Sequence, residues 1–133
     1  DTIILTANQT WSGSFTITQR LGSSGYLTIT STLAANLPPS GVRITPSHTE
    51  NMPKLLMNSA TSVLLFPAGA TPAQFIKLVG IEITSTSTVN GGLSTSADLV
   101  RIGIGTITLL SQFPSNIEFE RCWIHGNYSG EIR

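Results

Sequence analysis

Apolar residues recur at matching positions in two stretches of the chain, residues 76–84 and 117–125. In both stretches they fall at relative positions 1, 3, 6 and 8, as in Ile76-Lys-Leu-Val-Gly-Ile-Glu-Ile-Thr84. Because strand side chains alternate between two faces, a one-residue slip would turn the second half of each stretch outward. If the strand bends at the slip, near Val79-Gly80 and Glu120-Arg121, both halves face one interior. A repeated strand–bend–strand unit is typical of a β-solenoid.

Shorter alternating segments open the chain at twelve-residue intervals, at Ile3/Leu5, Phe15/Ile17 and Leu27/Ile29. This spacing fits the half-coils of a solenoid and equally a β-sandwich or meander, so the later repeat decides for the solenoid. Further strands are predicted at residues 54–57 and 62–66, with one or two more within 99–110. The two copies of the repeat lie 41 residues apart, which allows either two coils or one coil with an inserted loop.

The sequence therefore predicts an all-β fold, a β-solenoid of a few coils. One short helical turn is expected near residues 46–52, because Pro46 suits a helix start and Pro53 would end it. No linker divides the chain, so we expect residues 1–133 to form a single β-helix domain. The missing initiator methionine favours a fragment or processed part of a longer chain.

Composition narrows the functional classes. The formal net charge is zero and only 11% of residues are charged, with no basic cluster, so nucleic-acid binding is not expected. Ser and Thr make up about a quarter of the chain, which suits an extracellular or cell-surface β protein. The longest apolar run, around Ser62-Val-Leu-Leu-Phe66, is too short to span a membrane. The single cysteine, Cys122, occupies an inward position and is expected to be a buried, inert thiol.

Five segments resemble the N-terminal part of bacterial right-handed parallel β-helix proteins of the pectate-lyase-like superfamily: Gly41–Pro46, Met52–Leu55, Phe75–Ile83, Leu99–Gly103 and Asn116–Gly126. The resemblance implies an extracellular, polysaccharide-associated protein. Lyases of that superfamily use a Ca²⁺ site built from several carboxylates, together with an Arg or Lys base. This chain does not supply that set, so no catalytic residue, metal or cofactor is carried over.

Two glutamates are the candidates for catalysis. Glu118 and Glu120 share one face of a strand with Cα atoms about 6.5 to 7 Å apart, a spacing that would suit an inverting glycosidase. A solvated outer face, paired with Lys77 if that strand lies alongside, explains them as well and is the interpretation we favour. Neither glutamate has a visible neighbour that would raise its pKa.

Three residues are the candidates for binding carbohydrate. Trp123 is predicted to face outward, matching Glu82 in the other copy, where its ring would stack on a sugar. The alternative is that a neighbouring loop, such as Thr84–Gly92, covers it. Arg101 and Arg121 are candidates for orienting carboxylate groups, and surface ion pairs explain them equally. Trp11, Tyr26 and Tyr128 would extend the platform if the fold brings them together.

The remaining polar residues give weaker signals. His48 and His125 lack metal-ligand spacing, so structural hydrogen bonds are favoured over a metal site. Two glycosylation-type sequons, at Asn8 and Asn127, matter only for a eukaryotic secretory source.

The leading hypothesis is an extracellular, non-catalytic module that binds or scaffolds polysaccharide. The alternative is a structural module that stacks end to end through open β-helix ends into an oligomer or filament. A third hypothesis, a truncated polysaccharide lyase or glycoside hydrolase, has less support. The expected partners are therefore polysaccharide or further copies of the chain.

Overall fold

The computed structural model describes residues 1–18, 25–57, 62–86, 98–103 and 107–127. These ranges are mostly β-structure, with eleven short strands and three 3-10 helices. The strands are β1 (Thr2–Leu5), β2 (Thr10–Ser12), β3 (Phe15–Thr16), β4 (Leu27–Ser31), β5 (Lys54–Met57), β6 (Leu64–Phe66), β7 (Gln74–Val79), β8 (Glu82–Ser85), β9 (Val100–Ile102), β10 (Ser115–Glu120) and β11 (Trp123–Ile124). The helices are Ala34–Asn36, Pro46–Asn51 and Leu110–Gln112.

The strands form three sheets in which every pair is parallel. Sheet A has the order β1-β4-β7-β10, sheet B the order β2-β5-β8-β11 and sheet C the order β3-β6-β9. Consecutive strands enter sheets A, B and C in turn, so each parallel pair joins strands three apart in chain order. This mostly β, parallel architecture confirms the predicted class and is compatible with a β-helix-like solenoid.

The two copies of the repeat lie directly beside each other. Strand β7 pairs with β10, placing Ile76 opposite Ile117 and Lys77 opposite Glu118, and β8 pairs with β11. The 41-residue spacing is therefore one passage through the three sheets, not two. The first passage through the three sheets takes fewer residues, as the pairing of Ile3 in β1 with Ile29 in β4 shows.

The predicted bends are present between β7 and β8 and between β10 and β11. Both are made by a residue in the left-handed region, Gly80 with φ 68° and Arg121 with φ 50°. Glycine at position 80 has a second cause, since a Cβ there would lie 2.5 Å from Leu37 Cδ1. Because the strand bends here, all four apolar positions of this copy face the interior and are fully buried: Ile76, Leu78, Ile81 and Ile83.

Two apolar clusters stabilise the fold. The interior cluster surrounds Val63, Leu64 and Phe66, which are almost completely buried, and it includes the inward residues of β7 and β8. The second cluster is small and separate. It consists of Leu37, Ile44 and Met52, from the segment that leads into β5, with Trp123 packed against them.

The expected helical turn is present as the 3-10 helix Pro46–Asn51. The backbone N–H of Thr45 donates to His48 Nδ1 at 3.0 Å, so His48 closes the start of this helix. No helix in the described ranges is long and apolar enough to span a membrane.

One strand was not predicted: β2, because Thr10–Ser12 is too short to show alternation. The segment 99–110, expected to hold one or two strands, has one among the described residues, β9, and Leu110 begins a 3-10 helix. Gln112 Oε1 accepts from the backbone N–H groups of Thr108 and Leu109 and so stabilises that turn. Leu110 is 88% exposed, which shows that its apolar character does not mark an inward position.

Candidate functional site

One row of side chains crosses the outer face of sheet B. Thr10, Lys54, Glu82 and Trp123 are aligned across β2, β5, β8 and β11. The residues that follow them in β2, β5 and β8 belong to the interior cluster, so this row points away from it. The short strands thus place a lysine, a carboxylate and an indole side by side.

Glu82 is the unusual member of this row because its side chain is only 3% exposed. Its Oε1 atom lies 3.3 Å from Lys54 Nζ and 3.1 Å from His125 Nε2. Its Oε2 atom is equally buried and has no hydrogen-bond partner among the described residues. Burying a carboxylate is costly unless its oxygens are hydrogen-bonded, and Lys54 and His125 compensate only one of the two oxygens.

His125 is held in one orientation by a ring stack and by polar contacts at both of its nitrogen atoms. Its ring stacks on the indole of Trp123 with a centroid separation of 3.9 Å and an interplanar angle of 25°. Its Nδ1 atom lies 2.7 Å from the carbonyl oxygen of Gly126 and 3.4 Å from Thr84 Oγ1. A carbonyl oxygen only accepts, so Nδ1 donates to Gly126. The Nε2 atom of His125 lies 3.1 Å from Glu82 Oε1, so both ring nitrogens contact oxygen atoms.

A groove of about 340 Å³ opens beside Glu82 and His125. Leu56 is an apolar member of its lining, and the polar members supply an amine, a carboxylate, an imidazole, four hydroxyl groups and an amide: Thr10, Lys54, Glu82, Thr84, Ser85, Thr86, His125 and Asn127. A smaller hollow of about 60 Å³ lies on the side of Asn8, Gln9 and Thr49, and it also reaches Lys54 and Glu82. Such a lining can bind a hydroxylated, polar ligand.

Trp123 lies where the sequence placed it, opposite Glu82 on the outer face. It is partly covered, but the cover comes from Leu37, Ile44 and Met52 and from the stacked His125 ring. The apolar character of the segment leading into β5 was the signal that could have identified this cover. The alternative cover, the loop Thr84–Gly92, lies mostly outside the described residues and stays a prediction.

The expected aromatic platform around Trp123 is not formed by the described residues. Trp11 lies opposite Leu55 and packs against the interior cluster. Tyr26 precedes β4 in sheet A and contacts the ring of Phe75 edge-on. Tyr128 lies outside the described residues. Trp123 therefore has only His125 as an aromatic neighbour here.

The two candidate arginines lie on other parts of the fold. Arg101 is in β9 of sheet C, and its Nε atom lies 3.9 Å from Asp98 Oδ2. Arg121 occupies the bend before β11, where its guanidinium donates to the carbonyl oxygen of Ala34 at 3.0 Å. Its Nε atom lies 3.2 Å from Glu120 Oε1 without hydrogen-bond geometry. Arg101, Arg121 and Trp123 thus have separate neighbours and do not share one site.

Glu118 and Glu120 lie on the outer face of sheet A with Lys77 between them. Lys77 Nζ is 3.4 Å from Glu118 Oε2 and 2.7 Å from Glu120 Oε2. A hydrogen bond from Tyr26, and then one from Lys77, lowers the pKa of Glu118. Lys77 likewise lowers the pKa of Glu120. Two carboxylates held in the ionised form suit an ion-paired surface better than an acid–base pair.

Two further candidate chemistries remain, a reactive thiol at Cys122 and a metal site. Burial raises the pKa of the Cys122 thiol to about 11, which keeps it protonated and unreactive near neutral pH. Within the described ranges, no three His, Cys, Asp or Glu side chains lie together in a way that would hold a metal ion.

Glu82 was missed as a site residue because its sequence neighbours, Ile81 and Ile83, make it look like an ordinary outward residue of a strand. Its partners come from β5 and from the residue after β11, and their meeting depends on strand register. Comparisons of the chain with protein-family models, with curated proteins and with solved structures find no match.

Proposed function

We propose that the three parallel sheets wind as a right-handed parallel β-helix of the pectate-lyase-like kind, and that the chain is a non-catalytic extracellular module that binds polysaccharide. The cyclic order of the strands and the bent repeat support the winding. The low share of charged residues and the abundance of Ser and Thr support an extracellular setting. The binding site in this proposal is the groove beside Glu82.

One observation carries the binding proposal: the buried Oε2 atom of Glu82, which lacks a hydrogen-bond donor among the described residues. Lys54 and His125 both approach Oε1 and fix the carboxylate in place. Oε2 is then a preoriented acceptor. Because the atom itself is buried, a ligand hydroxyl would satisfy it by displacing a side chain at the edge of the groove.

The groove lining fits the same ligand class. A sugar hydroxyl both donates and accepts hydrogen bonds, and the hydroxyl and amide groups of Thr84, Thr86 and Asn127 offer both functions. The volume of about 340 Å³ lies within the range of small-ligand sites, so it would admit one or two sugar units of a longer chain.

The test is a depletion assay of the purified chain against plant, algal and bacterial polysaccharides, with released reducing and unsaturated ends measured in the same tubes. We expect retention without product. Glu82→Gln should weaken retention about tenfold, because a charge-assisted hydrogen bond is lost. The matched control is Glu50→Gln, the same change at an exposed position of the 3-10 helix Pro46–Asn51, which should bind like the wild type.

Three results would contradict the proposal. One is retention that is equal in the wild type and in Glu82→Gln when both have the same melting temperature. Another is the absence of retention on every polysaccharide. The third is release of product, which would favour the truncated lyase or hydrolase instead.

A second candidate function, end-to-end association of copies, is favoured by the ends of the sheets. Among the described residues, β1, β2 and β3 each have one unpaired edge at one end, and β9, β10 and β11 do so at the other. An apolar hollow of about 250 Å³, lined by Leu5, Trp11, Phe15 and neighbouring residues, lies at the first end. Parallel strands at both ends would allow a second copy to continue each sheet.

Sedimentation over a range of concentrations tests this second candidate. We expect the average mass to rise with concentration, and Ile4→Lys, in the edge strand β1, to abolish the rise. Thr6→Lys, just beyond that strand, serves as a charge-matched control. A monomeric mass at all concentrations would contradict end-to-end association.

A further inference from the structure

Phe75, at the second position of β7, has an unusual backbone conformation. Its φ is 54°, in the left-handed region that bulky residues rarely adopt. Its side chain is 43% exposed, so burial in the interior does not account for the choice of phenylalanine. A strained, exposed aromatic residue is a reason to look for a binding role.

The neighbouring copy of the repeat provides a built-in comparison. Gln74 and Ile76, which flank Phe75, pair with Ser115 and Ile117, which flank Asn116. Asn116 has the same φ of 54°. Asparagine tolerates this conformation far better than phenylalanine does, so the backbone alone would favour Asn at both positions. What Phe75 adds over Asn116 is an aromatic ring on the surface.

The surroundings of this ring are polar and balanced in charge. The ring of Tyr26 meets Phe75 edge-on, with centroids 5.8 Å apart and an interplanar angle of 89°. The Tyr26 hydroxyl hydrogen-bonds to Glu118. The positive charges of Lys77 and Arg121 pair with Glu118 and Glu120, which are therefore already compensated. An uncharged ligand thus matches this face better than an ionic one.

We infer that Phe75 and Tyr26 form a second carbohydrate contact, on sheet A, which takes a neutral pyranose ring against the exposed Phe75 ring. A pyranose with equatorial hydroxyl groups carries only C–H groups on its faces, and such a face packs on an aromatic ring. The Glu118 carboxylate, fixed by Tyr26 and Lys77, lies within the same polar surface to accept from ring hydroxyls. The inference rests on the proposed function for its ligand class, but it uses a different sheet and different residues.

Calorimetric titration with cellohexaose, whose sugar rings carry only equatorial substituents, tests this contact. We expect measurable binding to the wild type and about a fivefold higher Kd for Phe75→Asn, as expected for the loss of one ring contact. Because Asn suits the backbone at this position, the melting temperature of Phe75→Asn should be unchanged or higher. Phe75→Tyr keeps the ring and should bind within about twofold of the wild type.

Three results would overturn the inference. They are no heat of binding with the wild type, a wild-type Kd for Phe75→Asn, or loss of binding in Phe75→Tyr equal to that in Phe75→Asn. The Glu82→Gln variant distinguishes binding at the sheet A contact from binding in the groove. Cellohexaose binding that depends on Phe75 but not on Glu82 supports the sheet A contact, whatever the polysaccharide assay shows for the groove.

Discussion

The outer faces of sheets A and B both pair lysine with glutamate, yet the two pairings differ in depth. On sheet A, Lys77 lies between Glu118 and Glu120, whose side chains are 46% and 29% exposed. On sheet B, Lys54 lies beside Glu82, whose side chain is 3% exposed. The sheet A carboxylates share a lysine in water, whereas the sheet B carboxylate keeps one buried oxygen without a donor among the described residues.

The difference comes from what lies over each sheet. The small cluster of Leu37, Ile44 and Met52 packs on Trp123, which in turn stacks on His125. Trp123 lies opposite Glu82 and His125 contacts its Oε1 atom, so these two side chains border the buried carboxylate, whereas Glu118 and Glu120 are partly exposed. A similar residue pair therefore forms a screened surface ion pair in one place and a preoriented acceptor in the other.

The largest expected effect is a loss of stability when the bend at Gly80, between β7 of sheet A and β8 of sheet B, is altered. Gly80→Ala would place a Cβ against Leu37 and force a left-handed conformation on alanine. We expect a loss of about 2 to 4 kcal/mol in the free energy of unfolding, measured by urea denaturation. Gly126→Ala, where a Cβ meets no atom within 4 Å, should change stability far less. Equal losses would show that the bend is not specified by Gly80.

The next effect concerns the cover of the sheet B site. Trp123→Ala removes the ring that links the small cluster to His125. We expect a loss of about 2 kcal/mol in the free energy of unfolding, less than for a fully buried tryptophan, since Trp123 is partly exposed. Trp123→Phe should retain most of the stability. A change below about 0.5 kcal/mol in Trp123→Ala would show that the cover is not formed in solution.

A matched pair of lysine substitutions compares the two faces directly. Lys54→Met leaves the buried Glu82 carboxylate with only His125 beside it among the described residues, and should cost about 1 to 2 kcal/mol in the free energy of unfolding. Lys77→Met leaves two solvated carboxylates and should cost less. Thermal unfolding of both variants under the same conditions gives the comparison. A larger loss for Lys77→Met would reverse our ranking of the faces.

The smallest effect is the acid dependence of the sheet A pairs. The pKa of Glu118 and that of Glu120 are lower in the folded chain than the ordinary value of 4.5. Their stabilising contribution is therefore present above about pH 4.5 and is lost as the pH falls through the lowered values. The double variant Glu118→Gln/Glu120→Gln should show a shallower fall in melting temperature between about pH 5 and pH 3. An unchanged slope would mean that these pairs do not form in solution.

The bent repeat made most of the architecture predictable. Alternation around residues 79–80 and 120–121 predicted which residues face inward. The outward position of Trp123 was predictable for the same reason. The direct pairing of β7 with β10 was left open, because the 41-residue spacing allowed one coil or two. Periodicity failed where apolar residues are exposed, as at Leu109 and Leu110, because it carries no information on which apolar residues the chain leaves in solvent.

The candidate site was much less predictable than the fold. Lys54, Glu82 and His125 meet because of the register between three strands of sheet B. No local sequence pattern predicts that register. Spacing drew attention to Glu118 and Glu120, whose surroundings turn out to be ion-paired and partly solvated. The more informative carboxylate, Glu82, lies between Ile81 and Ile83. An alternating strand pattern does not predict which side chains will cover such a residue.

The most direct test of the central claim is a crystal structure of the chain with an oligosaccharide from whichever polysaccharide retains it. We expect a sugar hydroxyl within about 2.5 to 3.0 Å of Glu82 Oε2, with Lys54 and His125 still on Oε1. A bound oligosaccharide that leaves Oε2 without a ligand donor, or that lies away from the outer face of sheet B, would contradict the claim.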